Sequence, residues 1–280
     1  MSAASGSGAK GAGLTLLWSE LSVMFRRRRT WALLVALAAV PVLIAIAVKV
    51  TSRPRGGGPA FIGQISENGL FVTLAALTIA VPLFLPLTVG VMAGDTIAGE
   101  ASNGTLRYLL AAPAGRLRLL LVKYAGAAVF SLAGTLVVAV AGTLIGFALF
   151  PIGPVTLLSG DTVGLGEGML RVLLIALYVT VSLFGLSAIG LFFSTLTDVP
   201  VGAMAATIVL SIASQVVDSL PQLDAIHPYL FSHYWLGFAD LLRQPVSWDS
   251  FGSNAILQVA YIVVFGGLAY GRFATKDILS

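Results

Sequence analysis

The side chains with the greatest capacity for chemistry are the two histidines, His227 and His233, which lie close in sequence to Asp224 and Asp240. Imidazole and carboxylate groups together can ligate zinc or exchange protons. Zinc hydrolases place such groups on one helix as H-E-x-x-H, with a glutamate beside the first histidine. Here five residues separate the histidines and none of them is glutamate. The spacing therefore predicts neither a metal site nor a catalytic centre.

Other patterns associated with catalysis or nucleotide binding are absent or incomplete. The phosphate-binding pattern G-x-x-x-x-G-K-[ST] does not occur, so this chain is not expected to bind ATP in that way. Gly6, Gly8 and Gly11 match G-x-G-x-x-G, but no strand pattern precedes them. Ser187 lies between glycines in GLSAIG, and no apolar run contains a histidine to activate it. We predict no catalytic residue, no metal and no cofactor bound by this chain.

The composition is that of a membrane protein. Hydrophobic residues make up 58% of the chain and charged residues 10%, and there is no cysteine. A soluble domain of this size has about 25% charged residues. Several uncharged runs reach the ~20 residues that a helix needs to cross the hydrocarbon core. The sequence therefore predicts an all-α polytopic membrane protein without disulfides or thiolate ligands.

The apolar runs predict six membrane spans, and these spans define the domain organisation. They cover residues 30–48, 69–94, 119–150, 170–196, 201–217 and 255–271. The second span contains Pro82 and Pro86, which predict a kink because proline lacks a backbone donor and crowds the preceding turn. We divide the chain into a flexible tail, an interfacial segment, the six-span domain and a C-terminal tail: residues 1–13, 14–29, 30–271 and 272–280.

The interfacial segment combines an apolar stripe with a run of arginines. Its larger apolar residues recur at helical spacing, which predicts an amphipathic helix along the membrane surface with Trp18 at headgroup depth. The run that follows is Arg26, Arg27, Arg28 and Arg29. We expect these arginines to anchor the chain at the anionic cytoplasmic leaflet, and not to bind nucleic acid, because they adjoin a span.

The distribution of basic residues predicts the orientation. The N-terminal segment, residues 95–123 and the C-terminal tail carry more lysine and arginine than the loops on the opposite side. Both termini are therefore expected in the cytoplasm. The semi-polar segment (residues 218–250) is then on the outer side. Charged residues lie at the ends of the predicted spans, so an ion-coupled carrier would lack its usual intramembrane carboxylate.

The polar stretch between the second and third spans is the most informative part of the sequence. A helix is predicted to begin near Glu100, where a negative charge favours the helix start. Leu106, Leu109 and Leu110 then form one apolar face, and Pro113 ends the helix. From these features alone, the stretch is either a docking surface for another protein or an ordinary amphipathic loop.

The order of residues in this stretch resembles a family motif. Residues 100–116 read EASNGTLRYLLAAPAGR, and Lys123 follows. The string is similar to the first cytoplasmic loop of ABC-2 type transporter permeases, E-x-x-x-G-T-L-x-x-L-L-x-x-P-x-x-R. The layout resembles that family as well, with an amphipathic elbow before span one and a semi-polar outward segment between spans five and six.

The resemblance implies the permease subunit of a bacterial ABC exporter in the plasma (inner) membrane. The loop would form a coupling helix that docks on a separate ATPase subunit, which would bind ATP and Mg²⁺. The implied docking residues are Glu100, Gly104, Thr105, Leu106, Arg107, Leu109, Leu110, Pro113, Arg116 and Lys123. The permease would pair with a second copy or a paralogue, surrounded by lipid, and residues 218–250 would form a re-entrant cap.

A different class of protein remains open on sequence grounds. An ATPase-independent channel, secondary carrier or membrane scaffold would have the same hydropathy profile. Such a protein would function when reconstituted alone, whereas an ABC permease requires its ATPase.

Overall fold

A computed structural model describes residues 8–51, 68–105 and 115–275, with side chains described from residue 15 onward. These residues form a predominantly helical fold. Six helical stretches are long and apolar enough to cross a membrane. They are Arg28–Thr51, Leu70–Asp95, Arg116–Leu149, Leu165–Leu196, Pro200–Asp218 and Asp249–Thr275. The predictions of a predominantly helical protein and of six helices able to span a membrane are therefore confirmed, and one short β-hairpin is an addition to the predicted all-α fold.

The described residues of the first half form three spans and two helices outside them. The elements in order are α1 (Gly8–Arg26), α2 (Arg28–Thr51), α3 (Leu70–Ile79), α4 (Leu85–Asp95), the short α5 (Ala98–Ser102) and α6 (Arg116–Leu149). Helices α3 and α4 belong to one span and are joined by a π-helical turn, Ala80–Phe84. We call residues 96–115, between α4 and α6, the interspan loop.

The second half contains a hairpin, three spans and two 3₁₀ helices. The elements are β1 (Val155–Thr156), β2 (Thr162–Val163), α7 (Leu165–Ser182), α8 (Phe184–Leu196), α9 (Pro200–Asp218) and α10 (Asp249–Thr275). Helices α7 and α8 form the fourth span and are separated only by Leu183. The semi-polar segment contains the 3₁₀ helices Pro221–Tyr229 and Gly237–Leu242.

The two prolines of the second span coincide with its irregular turn. Pro82 lies inside the π-helical turn, and Pro86 lies in the first turn of α4. A proline cannot donate a backbone hydrogen bond, and its ring crowds the carbonyl of the residue four positions earlier. The wider π-helical turn accommodates both effects while the span continues.

The N-terminal boundary differs from the predicted one. Helix α1 begins at Gly8, so residues 8–13, which we predicted as part of a flexible tail, are helical. Extending an existing helix by a few residues costs much less than nucleating one, so the helix can continue into this small-residue segment. Residues 1–7 lie outside the described part of the chain.

Close helix contacts hold the spans together at both ends. At one end, the backbone atoms of Gly69 and Gly146 lie so close that neither position has room for a Cβ atom. At the other end, the space for a Cβ on Gly94 is occupied by the backbone of Met204 in α9. Small residues allow membrane helices to approach in this way. The first contact joins the start of α3 to the end of α6, and the second joins the end of α4, next to the interspan loop, to α9.

Candidate functional site

Charged side chains from both sides of the interspan loop meet in one cluster. The six members of this ion cluster are Glu20, Arg27, Arg29, Asp95, Glu100 and Lys123. Three of them carry positive charge and three negative charge at neutral pH, so the charges balance. Since they come from α1, α4, α5, α6 and the start of α2, the cluster joins five elements.

Lys123 is the centre of the cluster. Its Nζ atom donates to Glu20 Oε1 at 2.7 Å and to Glu100 Oε1 at 3.1 Å. The Lys123 side chain is only 5% exposed. A buried ammonium group is costly unless it is paired and hydrogen-bonded. The burial of Lys123 is therefore compensated by both carboxylates. Because Glu20 lies in α1 and Glu100 in α5, the two ion pairs connect the N-terminal helix and the interspan loop to α6.

Two arginines complete the cluster from the opposite side. Arg29 Nη2 lies 2.5 Å from Asp95 Oδ2, and Arg27 Nη1 lies 3.5 Å from the same oxygen. Arg27 Nη2 also lies 3.8 Å from Glu100 Oε1. The sequence predicted both arginines to be lipid anchors. The structure pairs them with the carboxylates of α4 and α5, a pairing that sequence patterns alone did not reveal, and their contact with lipid stays a prediction.

The cluster sets the ionisation state of Glu100. Burial by itself raises the pKa of this carboxyl, but the Thr105 hydroxyl, the Lys123 ammonium and the Arg27 guanidinium outweigh it and lower the pKa. Glu100 is therefore ionised at neutral pH. Because its folded-state pKa is depressed, its contribution to stability is present above the ordinary pKa of 4.5 and is lost as pH falls through the lowered value.

The interspan loop begins with a capped turn of helix and not with the longer helix that we predicted near Glu100. Helix α5 covers Ala98–Ser102. The Gly104 N–H donates to Ala101 O at 3.0 Å, and the Thr105 N–H donates to Glu100 O at 3.0 Å. These two bonds form a Schellman motif, which requires a left-handed residue after the helix. Gly104 supplies it with φ of +69°.

The side chains of this turn reinforce its geometry. The Thr105 hydroxyl donates to the carboxylate of Glu100. Glu100 thus binds Lys123 with one oxygen and Thr105 with the other. Since no atom lies within 4 Å of a Cβ built on Gly104, this glycine is required here by its backbone conformation.

Gly104→Ala is expected to destabilise the turn by about 1–2 kcal/mol, because a left-handed backbone is costly for residues with a Cβ atom. Hydrogen exchange followed by mass spectrometry should show faster exchange of the amides at 104 and 105, by roughly tenfold. Gly104→Asn should show a smaller effect, since asparagine tolerates this conformation. Gly202→Ala is the control, because Gly202 lies in α9 with open space around it. Equal exchange in all variants would contradict the proposed role of Gly104.

A serine from a different span holds the start of α5. Ser194 Oγ, at the end of α8, accepts hydrogen bonds from the N–H groups of Ile97 and Ala98 at 2.9 and 2.8 Å. Ser194 is fully buried. Serine oxygens commonly satisfy the free donors at helix starts, but here the serine is nearly a hundred residues away in sequence. No local pattern identifies such a cap.

The remaining predicted docking residues are divided between described and undescribed parts of the chain. Arg116 begins α6 and donates to Phe273 O at 3.3 Å and to Ala274 O, which joins the third span to the sixth. Gly115, just before it, has φ of +75°. The other predicted docking residues lie outside the described ranges: Leu106, Arg107, Leu109, Leu110 and Pro113. A coupling helix at these positions therefore stays a prediction.

The interfacial residues have the exposure that membrane contact requires. Trp18 is 74% exposed, and the side chains of Arg26 and Arg28 are also exposed. On the inner side of α1, Met24 is buried against the spans. The lipid contacts of these exposed residues remain predictions.

The histidines lie far in sequence from the ion cluster and have separate partners. His233 Nδ1 lies 2.7 Å from Asp218 Oδ1, whereas His227 Nε2 lies 3.2 Å from the carbonyls of Val217 and Leu220. Asp240 pairs with Arg243. Among the described residues, histidines and carboxylates do not form a group of three that could hold a metal ion. The observed contacts position the 3₁₀ helix after α9.

The semi-polar segment is fixed to the fourth and sixth spans by a buried polar network that we did not predict. Gln258 Nε2 donates to Phe231 O at 3.0 Å, and its Oε1 accepts the N–H of Gly185 at 3.1 Å. Asn254 Nδ2 donates to Ser182 Oγ at 2.7 Å, and the Trp235 indole N–H donates to Ser182 O at 2.9 Å. The only sequence feature that points to this network is the pair of amide side chains, Asn254 and Gln258, near the start of an apolar run.

Comparison with known proteins gives a consistent family assignment. The family model described as "ABC-2 family transporter protein" matches residues 14–278. A probable ABC transporter permease protein NosY from Pseudomonas aeruginosa is 41% identical over 69 residues, which are 25% of this chain and 25% of that protein. The protein of the same description from Stutzerimonas stutzeri is 34% identical over 107 residues, 38% of this chain and 35% of that protein. The chain therefore matches only about a quarter to a third of these relatives' lengths.

Proposed function

Because this chain belongs to the ABC-2 family of transporter proteins, we propose that it is the permease subunit of an ABC exporter driven by ATP hydrolysis on a separate subunit. The observation that carries the proposal is the anchored interspan loop. Its first turn, α5, is fixed by the ion cluster and Ser194. Arg116, directly after the loop, joins the start of α6 to the end of α10. A loop held at both ends can pass displacement by a partner on to the spans.

The distribution of charge supports an external energy source. Within the described spans, the most deeply placed charges are Lys123 and Arg171, and each lies within about two turns of a helix end. Lys123 belongs to the ion cluster, while Arg171 donates to Glu167 and to the Leu241 carbonyl. Both are therefore engaged in structural contacts. Ion-coupled carriers usually place ionisable groups deeper and on the transport path.

The proposed mechanism follows from these contacts. ATP binding and hydrolysis close and open the partner subunits, which move the interspan loop. The ion cluster and α5 pass this displacement to α4 and α6. Two permeases, which are two copies or one copy with a paralogue, rock between inward-open and outward-open states around their shared interface. Both termini lie in the cytoplasm of a bacterial cell, as the distribution of basic residues predicts.

The test is copurification with an ATP-hydrolysing subunit from the source membrane. We expect the unaltered chain to copurify with such a subunit, and deletion of residues 106–110 to weaken that association by about thirtyfold or more, as expected when interface hot spots are lost. Glu100→Ala should weaken ATPase coupling as well. Asp161→Ala is the matched control, because this exposed acid lies in the turn between β1 and β2.

Two outcomes would contradict the proposal. One is unchanged assembly and ATPase coupling in both loop variants. The other is full transport or channel activity by the purified chain reconstituted alone, which would favour a channel, carrier or scaffold.

A further inference from the structure

We propose that α8 is the rigid element that connects the interspan loop to the semi-polar segment, with Ser194 positioning the loop at one end and Gln258 receiving the displacement at the other. The inference rests on the proposed function, because it concerns how movement of that loop reaches the opposite side of the protein. It assigns positioning roles to two residues outside the predicted docking set. This thirteen-residue helix is hydrogen-bonded to another element at each of its ends.

The first end of α8 is bonded to the loop backbone itself. Ser194 Oγ is the acceptor for two consecutive N–H groups, those of Ile97 and Ala98. Both donors and the acceptor are buried. Buried N–H groups without a partner are costly, so α5 and the end of α8 are expected to move together. Ile97 is also buried against Leu191, one turn earlier on α8.

The body of α8 leaves little freedom for sliding against its neighbours. A Cβ atom built on Gly190 would lie 2.6 Å from Ala93 Cβ in α4. The helix packs against both α4 and α10. Closely packed helices transmit displacement because their interiors are nearly incompressible. Movement at Ser194 is therefore passed along the helix axis.

The second end of α8 is bonded to the semi-polar segment through one side chain. The Gly185 N–H donates to Gln258 Oε1 at 3.1 Å, and Gln258 Nε2 donates to Phe231 O at 3.0 Å. A Cβ atom on Gly185 would overlap Gln258 Oε1, so the amide is held directly against the start of α8. Phe231 is buried within the semi-polar segment. Gln258 therefore bridges the helix and this segment.

The break at Leu183 divides the fourth span into two helices. Helix α7 ends at Ser182 and α8 begins at Phe184. The Trp235 indole N–H bonds the Ser182 carbonyl at the end of α7, so the semi-polar segment also contacts the other side of the break. Displacement of α8 relative to α7 would therefore change the contacts that hold the segment in place.

The test uses site-specific labelling, which the sequence favours because the chain contains no cysteine. Tyr229→Cys places one thiol in the semi-polar segment at a side chain that is 72% exposed. The permease and its copurified ATPase subunit are reconstituted in liposomes. The rate of labelling by a membrane-impermeant maleimide is measured without nucleotide and with ATP and vanadate.

We expect the labelling rate to change on nucleotide trapping. Ser194→Ala should reduce that change about tenfold, because leaving a buried donor without a partner costs ~1.4 kcal/mol, which corresponds to a factor of ten. Ser194→Thr keeps a hydroxyl and should restore the response. Ser187→Ala is the matched control, because Ser187 is an equally buried serine on α8 whose hydroxyl bonds Leu183 O. Binding of the ATPase subunit is measured in every variant, since a general folding defect would reduce it too.

Gln258→Leu provides an independent test at the other end. It should abolish the nucleotide response while the ATPase subunit remains bound, and combining it with Ser194→Ala should add no further loss. The proposal is overturned if either single variant keeps the full response, or if the unaltered complex hydrolyses ATP without any change in labelling. Failure of any ATPase to copurify with the unaltered chain contradicts the proposed function instead.

Discussion

Lys123→Met is expected to lower the free energy of unfolding by about 3 kcal/mol, the low end of the range for removing one partner of a buried ion pair. Lys123 is 5% exposed, so its charge is compensated almost entirely by Glu20 and Glu100. Methionine fills similar space but leaves two carboxylates facing each other without their shared cation. These carboxylates are 29% and 18% exposed, and their residual hydration places the effect at the low end.

The measurement is thermal unfolding of the purified protein in detergent, followed by intrinsic fluorescence or light scattering. Arg118→Met is the matched control, since Arg118 is a basic residue in the first turn of α6 and is less buried. Neutralising the partners in the triple variant Lys123→Met, Glu20→Gln, Glu100→Gln should recover part of the loss, because no uncompensated charge remains. Equal stability of Lys123→Met and Arg118→Met would contradict a central role for this lysine.

Gly146→Ala is expected to destabilise the protein by about 3 kcal/mol, the upper end of the usual cost of overpacking. A Cβ atom at this position would overlap the carbonyl oxygen of Gly69, a backbone atom that cannot rotate away. The neighbouring contacts resist a shift as well. The Gly69 N–H donates to Pro151 O at 2.9 Å, and the Asn68 amide donates to the carbonyls of Gly153 and Pro154.

The same thermal assay separates this close contact from a general effect of alanine in a span. Gly266→Ala is the control, because Gly266 lies in α10 and no atom lies within 4 Å of its Cβ position. There, alanine should be neutral or stabilising, since it favours helix relative to glycine. If both variants lower the unfolding temperature equally, the contact between α6 and the start of α3 is looser than described.

The helix layout was predictable because the membrane imposes a local requirement. Each span must satisfy its own backbone hydrogen bonds and present about 20 apolar residues. All six predicted runs correspond to observed helices, and their boundaries differ by several residues at most. The break at Leu183 was not predicted, because the apolar pattern continues through it without a proline.

The candidate site was predictable only in part. The motif from Glu100 to Thr105 is present where the sequence placed it, although α5 ends at this point where a longer helix was expected. Lys123 was named as a basic end of the docking surface, but its burial and its two carboxylate partners were not foreseen. Glu20 and Asp95 were not among the predicted site residues. Glu20 lies within α1 and Asp95 is the last residue of α4, and at either position a charge near the membrane surface has several possible partners.

The sequence by itself determined the membrane class, the six spans and the loop motif, because hydropathy and motif order are properties of consecutive residues. The tertiary structure decided which charges face one another, which serine holds α5 and which glutamine holds the semi-polar segment. The Lys123–Glu20 pair joins residues 103 positions apart, and Ser194 contacts a backbone 97 positions away. Such pairings depend on how the spans pack, since a charged residue at a helix end can equally face lipid headgroups, water or another helix.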